Sequence, residues 1–214
     1  MVETNVEKIW HGKNSKIHAE KREQIAKATF IIFGKQGYRK ASIADIAKVA
    51  GISKGMVSYY FGSKKNLYMH LLDIHRSCLI LAVKDRLDIG GTDFFEKIKT
   101  VMELQVAAIR KYPGLLVFSN SAYLETDPEA ANHFGKTSGD ENAKFSRMFL
   151  ERMDFSSFNP AFDPNLLTKF MFWASDGFSL ELFHRSASAE QLETEADKYF
   201  RCLNIMRGAF NGAH

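Results

Sequence analysis

Apolar residues along the chain recur at intervals of three and four rather than two, and no run of strict alternation is long enough to propose a strand. The pattern predicts an all-α protein. A first helix is expected from about Lys16 to Gln36, with Ile25, Ala28, Thr29, Ile32 and Phe33 on one buried face and Gly37 as its stop. Ser42 is placed to cap a short helix over about Ile43 to Ala50, Gly51 to turn the chain, and Ser53 to cap a second over about Lys54 to Tyr60. Ser63 then opens a long helix from Lys64 to about Leu87, stopped by Gly90-Gly91. Residues 1–14 read as a mobile arm.

The second half continues in the same period. Thr92 opens an amphipathic segment with Phe95, Ile98, Met102, Gln105, Val106 and Ile109 near one face, ended by Pro113-Gly114. Further helices are expected at about Leu115–Leu124, Asp140–Arg152, Pro164–Arg185 and Ala189–Phe210. Between Thr126 and Gly139 irregular structure is expected, because Asp127-Pro128 can start a helix that Gly135 and Gly139 interrupt. Asp163-Pro164 has the form of a cap followed by a first-turn proline, and Ser188 and Gln191 have capping-box spacing. The two helices they open are long and apolar, with Leu166, Phe170, Met171, Leu203, Ile205, Met206 and Phe210 on broad faces.

Composition narrows the class. With 45% hydrophobic and 25% charged residues, the 214-residue chain sits among ordinary folded proteins, away from the disordered and fibrous ones. Its apolar runs, such as residues 29–33 and 115–118, fall far short of the roughly 20 residues a membrane span needs. The first ten residues lack a secretory pattern, so a cytoplasmic protein with no membrane partner is expected. Cys78 and Cys202 form no metal-ligand spacing and read as buried small hydrophobes. Charge is uneven: residues 1–70 hold 13 Lys/Arg against 5 Asp/Glu, while the remainder holds 16 against 20, so +8 and −4 make the net +4. The basic segment is the candidate for a polyanion, although such a surface can also be merely solvated.

That basic segment contains the helix, tight turn and helix of a DNA reader, in which the second helix enters the major groove while the first braces it. Ile46, Ala47, Ala50, Ile52, Val57 and Phe61 supply a small inner core, leaving Gly55, Met56, Ser58, Tyr59 and Tyr60 outward. Residues 42–64, SIADIAKVAGISKGMVSYYFGSK, resemble the signature of the TetR family of regulators: an Ile-Ala-x-x-Ala-Gly-hydrophobic-Ser-Lys-Gly turn joined to Tyr-x-Phe-x-Ser-Lys. The resemblance implies that Ser42, Lys54, Gly55, Tyr59, Tyr60 and Lys64 touch DNA, mostly its phosphates; Ser53, Met56 and Ser58 complete the candidate surface. Lysines, hydroxyls and helix-start amides suit phosphate oxygens. Met56 stands where the family usually has a small polar residue and Ser58 where it has Tyr; Met56 offers an apolar surface suited to a thymine methyl and Ser58 can donate or accept, so the expected reading depends less on bidentate hydrogen bonds.

The resemblance covers about a third of the chain. It implies an N-terminal helix-turn-helix domain, residues 15–70, followed by a larger helical ligand-binding and dimerisation domain, residues 71–214. The last two helices are the expected homodimer interface. An apolar inducer pocket is expected to draw on Met102, Gln105, Phe118, Asn120, Tyr123, Phe149, Phe170, Trp173 and Asp176, with Phe95 and Met148 nearby, although ordinary core packing claims the same residue types. Asp176 and Glu181 interrupt an otherwise apolar helix and must be solvated, paired or used on a ligand. No cofactor, metal site or nucleophile motif is implied, which leaves an enzyme as the weaker rival. A constitutive DNA-binding protein whose second domain only dimerises is another. Operator, inducer and the sign of regulation are not specified by these residues.

Overall fold

The computed structural model describes residues 19–78, 93–131, 147–156, 158–184 and 189–210. Its named helices are α1 (Ala19–Lys40), α2 (Ile43–Ala50), α3 (Lys54–Phe61), α4 (Lys64–Arg76), α5 (Phe94–Lys111), α6 (Leu115–Tyr123), α7 (Pro164–His184) and α8 (Ala189–Phe210). Among the described residues there is no sheet, only an isolated bridge between Asp93 and Asp154. No helix among them is long and apolar enough to cross a membrane. The arm, the stretch toward Leu87 with Gly90-Gly91, Thr92, residues 132–146 and Ser188 lie outside the described residues.

Helix boundaries follow local chemistry closely. Gly37 breaks α1 at the expected place with φ 71°, a conformation that costs glycine nothing, and residues 38–40 add one further turn. Asp93 caps α5 by accepting from the Glu96 amide at 2.9 Å. Between Thr126 and Gly139 the expectation of irregular structure needs amending. Residues 128–131 form a helical turn, begun by Pro128 and capped by Asp127, whose Oδ1 accepts from the Glu129 amide at 3.0 Å.

The chain packs into two compact units, the first from residues 1–82 and 108–139 and the second from 83–107 and 140–214. In the first, α1 lies against α6, α2 and α4 around Ile25, Phe30, Phe33, Ile46, Val57, Leu67, Tyr68, Leu71, Ile74 and Phe118. Two glycines let α1 and α6 cross with backbones in contact. A Cβ on Gly34 would lie 2.8 Å from the Phe118 nitrogen, and one on Gly114 would lie 2.6 Å from the Ile31 nitrogen. The Phe30 ring meets Phe118 edge-on at 5.2 Å, and Ser121 Oγ donates to the Phe33 carbonyl at 3.2 Å.

The second unit is built on aromatics: Phe94, Phe95, Phe149, Phe155 and Phe158 pack with Leu167, Met171 and Leu203. Arg207 of α8 forks onto the start of α5, donating to Asp93 Oδ2 and Glu96 Oε1, each at 2.8 Å. Of the two cysteines, Cys78 is buried, which pushes its thiol up to about 11. Cys202 is exposed, against expectation. The inward side of α8 runs through Leu192, Ala196, Leu203 and Met206, and Cys202 falls one step off that line.

Candidate nucleic-acid interface

The helix-turn-helix is fixed by three serine caps and two glycines of positive φ. Ser42 Oγ accepts from the Asp45 amide at 3.1 Å and donates to Asp45 Oδ2 at 2.6 Å, so the hydroxyl expected at a phosphate already serves the start of α2. Gly51 (φ 64°, ψ 32°) then reverses the chain, with Ile52 N donating to the Ala47 carbonyl at 3.0 Å. Ser53 Oγ accepts from the Met56 amide at 3.1 Å, leaving its own proton free to donate. Gly62 (φ 73°) ends α3, and Ser63 caps α4 through the Asn66 amide.

This scaffold sorts α3 by period. Val57 and Phe61, one helical turn apart, are buried together with Ile46, Ala47 and Ala50. Lys54, Gly55 and Tyr59 are exposed, Tyr59 to 74%. Met56, Ser58 and Tyr60 are half-buried, and Tyr60 packs partly on the core, so its outward role is shared with a structural one. Tyr59 and Tyr60 meet edge-on at 5.2 Å. A Cβ on Gly55 would meet nothing nearer than Ser53 Oγ at 3.8 Å, so nothing among the described residues requires glycine there.

The lysines part company. Lys54 is exposed and has no ion-pair partner among the described residues, with Arg39, Lys40 and Lys48 exposed nearby in sequence. Lys64 is half-buried, and its Nζ donates to the carbonyls of Tyr38 at 2.9 Å and Arg39 at 3.4 Å, in the turn that follows the break at Gly37.

Residues 25–71 match the family model described as bacterial regulatory proteins, tetR family. That segment belongs to the TetR family. The regulator BetI of Stenotrophomonas maltophilia is 47% identical over 47 residues, 22% of this chain and 24% of its own. The regulator PksA of Bacillus subtilis is 30% identical over 132 residues, 58% of this chain and 62% of its own. The chain thus matches less than two thirds of the length of these curated relatives. Among solved structures, the ketosteroid regulator KstR2 of Mycobacterium tuberculosis is similar in fold, with TM-score 0.67 at 20% identity over 92% of this chain and 98% of its own.

Outside the TetR segment, the nine inducer candidates fall in both units. In the first, Phe118 is wholly buried among Phe30, Tyr68 and His75, Asn120 Nδ2 donates to the Leu116 carbonyl at 3.2 Å, and Tyr123 is exposed. In the second, Met102 and Phe149 are buried, Gln105 is half-buried, and Phe170, Trp173 and Asp176 are exposed. Lys169 Nζ sits 5.0 Å from the Trp173 ring. Partial shielding raises the Asp176 carboxyl above its ordinary range. A cleft of ≈ 360 Å³ lies elsewhere, lined by Gln36, Gly37, Arg39, Lys40 and residues 125–128, and touches none of the nine.

Sequence reading missed the node around Tyr38. Its amide donates to Glu125 Oε2 at 2.8 Å and its hydroxyl to Glu129 Oε2 at 2.6 Å, partners 87 and 91 residues away. No local pattern signals such a contact. Burial, reinforced by the bond to Glu129, pushes the phenol above its ordinary range, so it stays protonated and donating.

Proposed function

We propose that the chain is a DNA-binding transcriptional regulator, in the simplest case a repressor, that acts as a homodimer and leaves its operator when a small, mostly apolar molecule binds the helical part beyond residue 71. The observation that carries the reading is α3 itself: capped at Ser53, anchored by Val57 and Phe61, and presenting Lys54, Gly55, Met56 and Tyr59 on its open side. A helix so held can enter a major groove without reorganising, with Lys54 on phosphate and Met56 near base edges.

Dimerisation is supported by α7 and α8. Leu167, Thr168 and Met171 face the core of the second unit, yet Leu166, Phe170, Trp173 and Leu180 are exposed at the spacing of one helical stripe, with Ile205 exposed on α8. Gly177 lies on the same stripe, and a Cβ there would meet nothing within 4 Å. A second copy covering this stripe through its own α7 and α8 accounts for apolar surface the chain leaves open. The aromatic and Met content of the second unit suits an apolar inducer, and the ketosteroid regulator among the similar folds is consistent with that class.

The test is selection of operator sequence from randomised DNA with the purified protein, followed by a thermal-shift screen of apolar metabolites and titration of operator with each hit. Enrichment of a two-fold motif and its loss with a hit are expected. Sequence-specific binding indifferent to every tight ligand would instead favour a constitutive DNA-binding protein.

A further inference from the structure

We infer that Lys64 is a positioning residue of the DNA-binding surface, holding the end of α3 against the end of α1, rather than a ligand of DNA phosphate. The inference rests on the DNA-binding reading above. Its basis is where the ammonium group points. Two of its three N–H groups go to the carbonyls of Tyr38 and Arg39, at 2.9 and 3.4 Å, and Nζ lies 4.4 Å from the centre of the Tyr38 ring. Those carbonyls belong to the single turn that follows the break at Gly37, beyond the continuous part of α1.

The receiving side is itself locked. Tyr38 follows the break at Gly37, its amide and hydroxyl are taken by Glu125 and Glu129, and its ring lies edge-on to Tyr68 at 5.0 Å. The presenting side is just as short. Lys64 is the first residue of α4, directly after the Gly62-Ser63 turn that ends α3. Lys64 therefore ties the last turn of the recognition helix to a fixed point on α1, and a phosphate taking its ammonium would have to compete with these partners. Lys54, at the other end of α3, has none among the described residues.

The two roles separate in salt dependence. Losing a phosphate contact lowers the magnitude of the slope of log affinity against log salt by about 0.9, and by twice that in a dimer. Losing a positioning contact lowers affinity and leaves the slope alone. The experiment measures operator affinity of wild type, Lys54→Ala, Lys64→Ala and Lys64→Gln across a salt series, with hydrogen exchange of the Ala41 amide, which bonds to the Gly37 carbonyl, in the free proteins. For Lys64→Ala we expect about tenfold weaker binding, the scale of one charged hydrogen bond, at an unchanged slope and with faster exchange. Lys64→Gln keeps N–H donors for the carbonyls without the charge. It should recover most of the affinity and the protection, while Lys54→Ala loses slope.

A slope reduced in either Lys64 variant, or unchanged affinity and exchange in Lys64→Ala, would overturn the inference. Should Lys64→Ala not fold, Lys64→Gln decides by its slope. If wild type itself binds no DNA in a salt-dependent way, the DNA-binding reading fails. The exchange measurement then still decides whether Lys64 holds the end of α1.

Discussion

Met56 and Lys54 share the open side of α3 but are suited to different parts of a duplex. Lys54, exposed and without an ion-pair partner among the described residues, should act on phosphate alone, so Lys54→Ala should weaken operator and random DNA alike. Met56 should discriminate: Met56→Ala should change relative affinities among operator variants by about 1 kcal/mol or more at one position per half-site. Recovery of the same motif by wild type and Met56→Ala from randomised DNA would contradict base reading by this residue. His75 gives a different residue-scale prediction. It is buried against Phe118, with Nε2 2.9 Å from Ser119 Oγ, and burial pulls its pKa from 6.5 down to about 4. Between those values the unfolded chain takes up a proton that the folded chain refuses. Stability is therefore complete above pH 6.5, falls as pH drops toward 4, and levels below. His70, shielded against Phe61, is pulled down to about 4 as well and adds in the same sense. The expected slope is about 1.4 kcal/mol per pH unit for each histidine, and His75→Gln should cut the total by about half, leaving the His70 share, when unfolding is followed from pH 7 to 4.

Among the elements, the crossing of α1 and α6 is the most exacting. Alanine normally stabilises a helix interior by about 1 kcal/mol over glycine. At Gly34, inside α1, the sign should reverse, and at Gly114, the N-cap of α6, the same clash adds to glycine's own preference for a cap, because the new methyl meets backbone atoms at 2.8 and 2.6 Å and backbone cannot rotate aside. Gly34→Ala and Gly114→Ala should each cost about 1–3 kcal/mol in urea unfolding, the range for overpacking. An unchanged midpoint would mean that the helices slide apart at little cost. The sequence marked both helices through their periodicity. That Gly34 and Gly114 meet the other helix could not be read, because the crossing brings together residues about eighty positions apart, which no window of local pattern spans.

For the whole molecule the predictions concern assembly and switching. If a second copy covers the outer stripe of α7, Trp173→Glu should shift the protein from dimer to monomer in sedimentation and sharply weaken operator binding, while leaving the helical signal in circular dichroism intact. A monomer–dimer balance unmoved by that charge would exclude the stripe as the interface. Inducer and operator should bind antagonistically, each lowering affinity for the other by the same factor, because linkage is reciprocal. Moving the population from 99:1 to 1:99 requires about 5.5 kcal/mol of differential binding, within reach of two buried apolar ligands per dimer. Titration of operator with and without saturating ligand, and of ligand with and without operator, measures both factors; unequal factors would mean that a third species is present.

What the sequence determined by itself was local. Caps at Ser42, Ser53 and Ser63, stops at Gly37 and Gly51, and the three-and-four spacing of apolar residues set the helices of the DNA-binding segment, since each signal acts within one turn of backbone. The motif that places this segment in its family is legible for the same reason, being contiguous. Only the tertiary structure decided which polar groups were already taken. It turned Lys64 toward α1, gave Tyr38 its two glutamates, and buried Phe118 among other aromatics. It also left Phe170 and Trp173 open on α7. These outcomes depend on how helices cross, and an amphipathic pattern says that a face will be covered without saying by what.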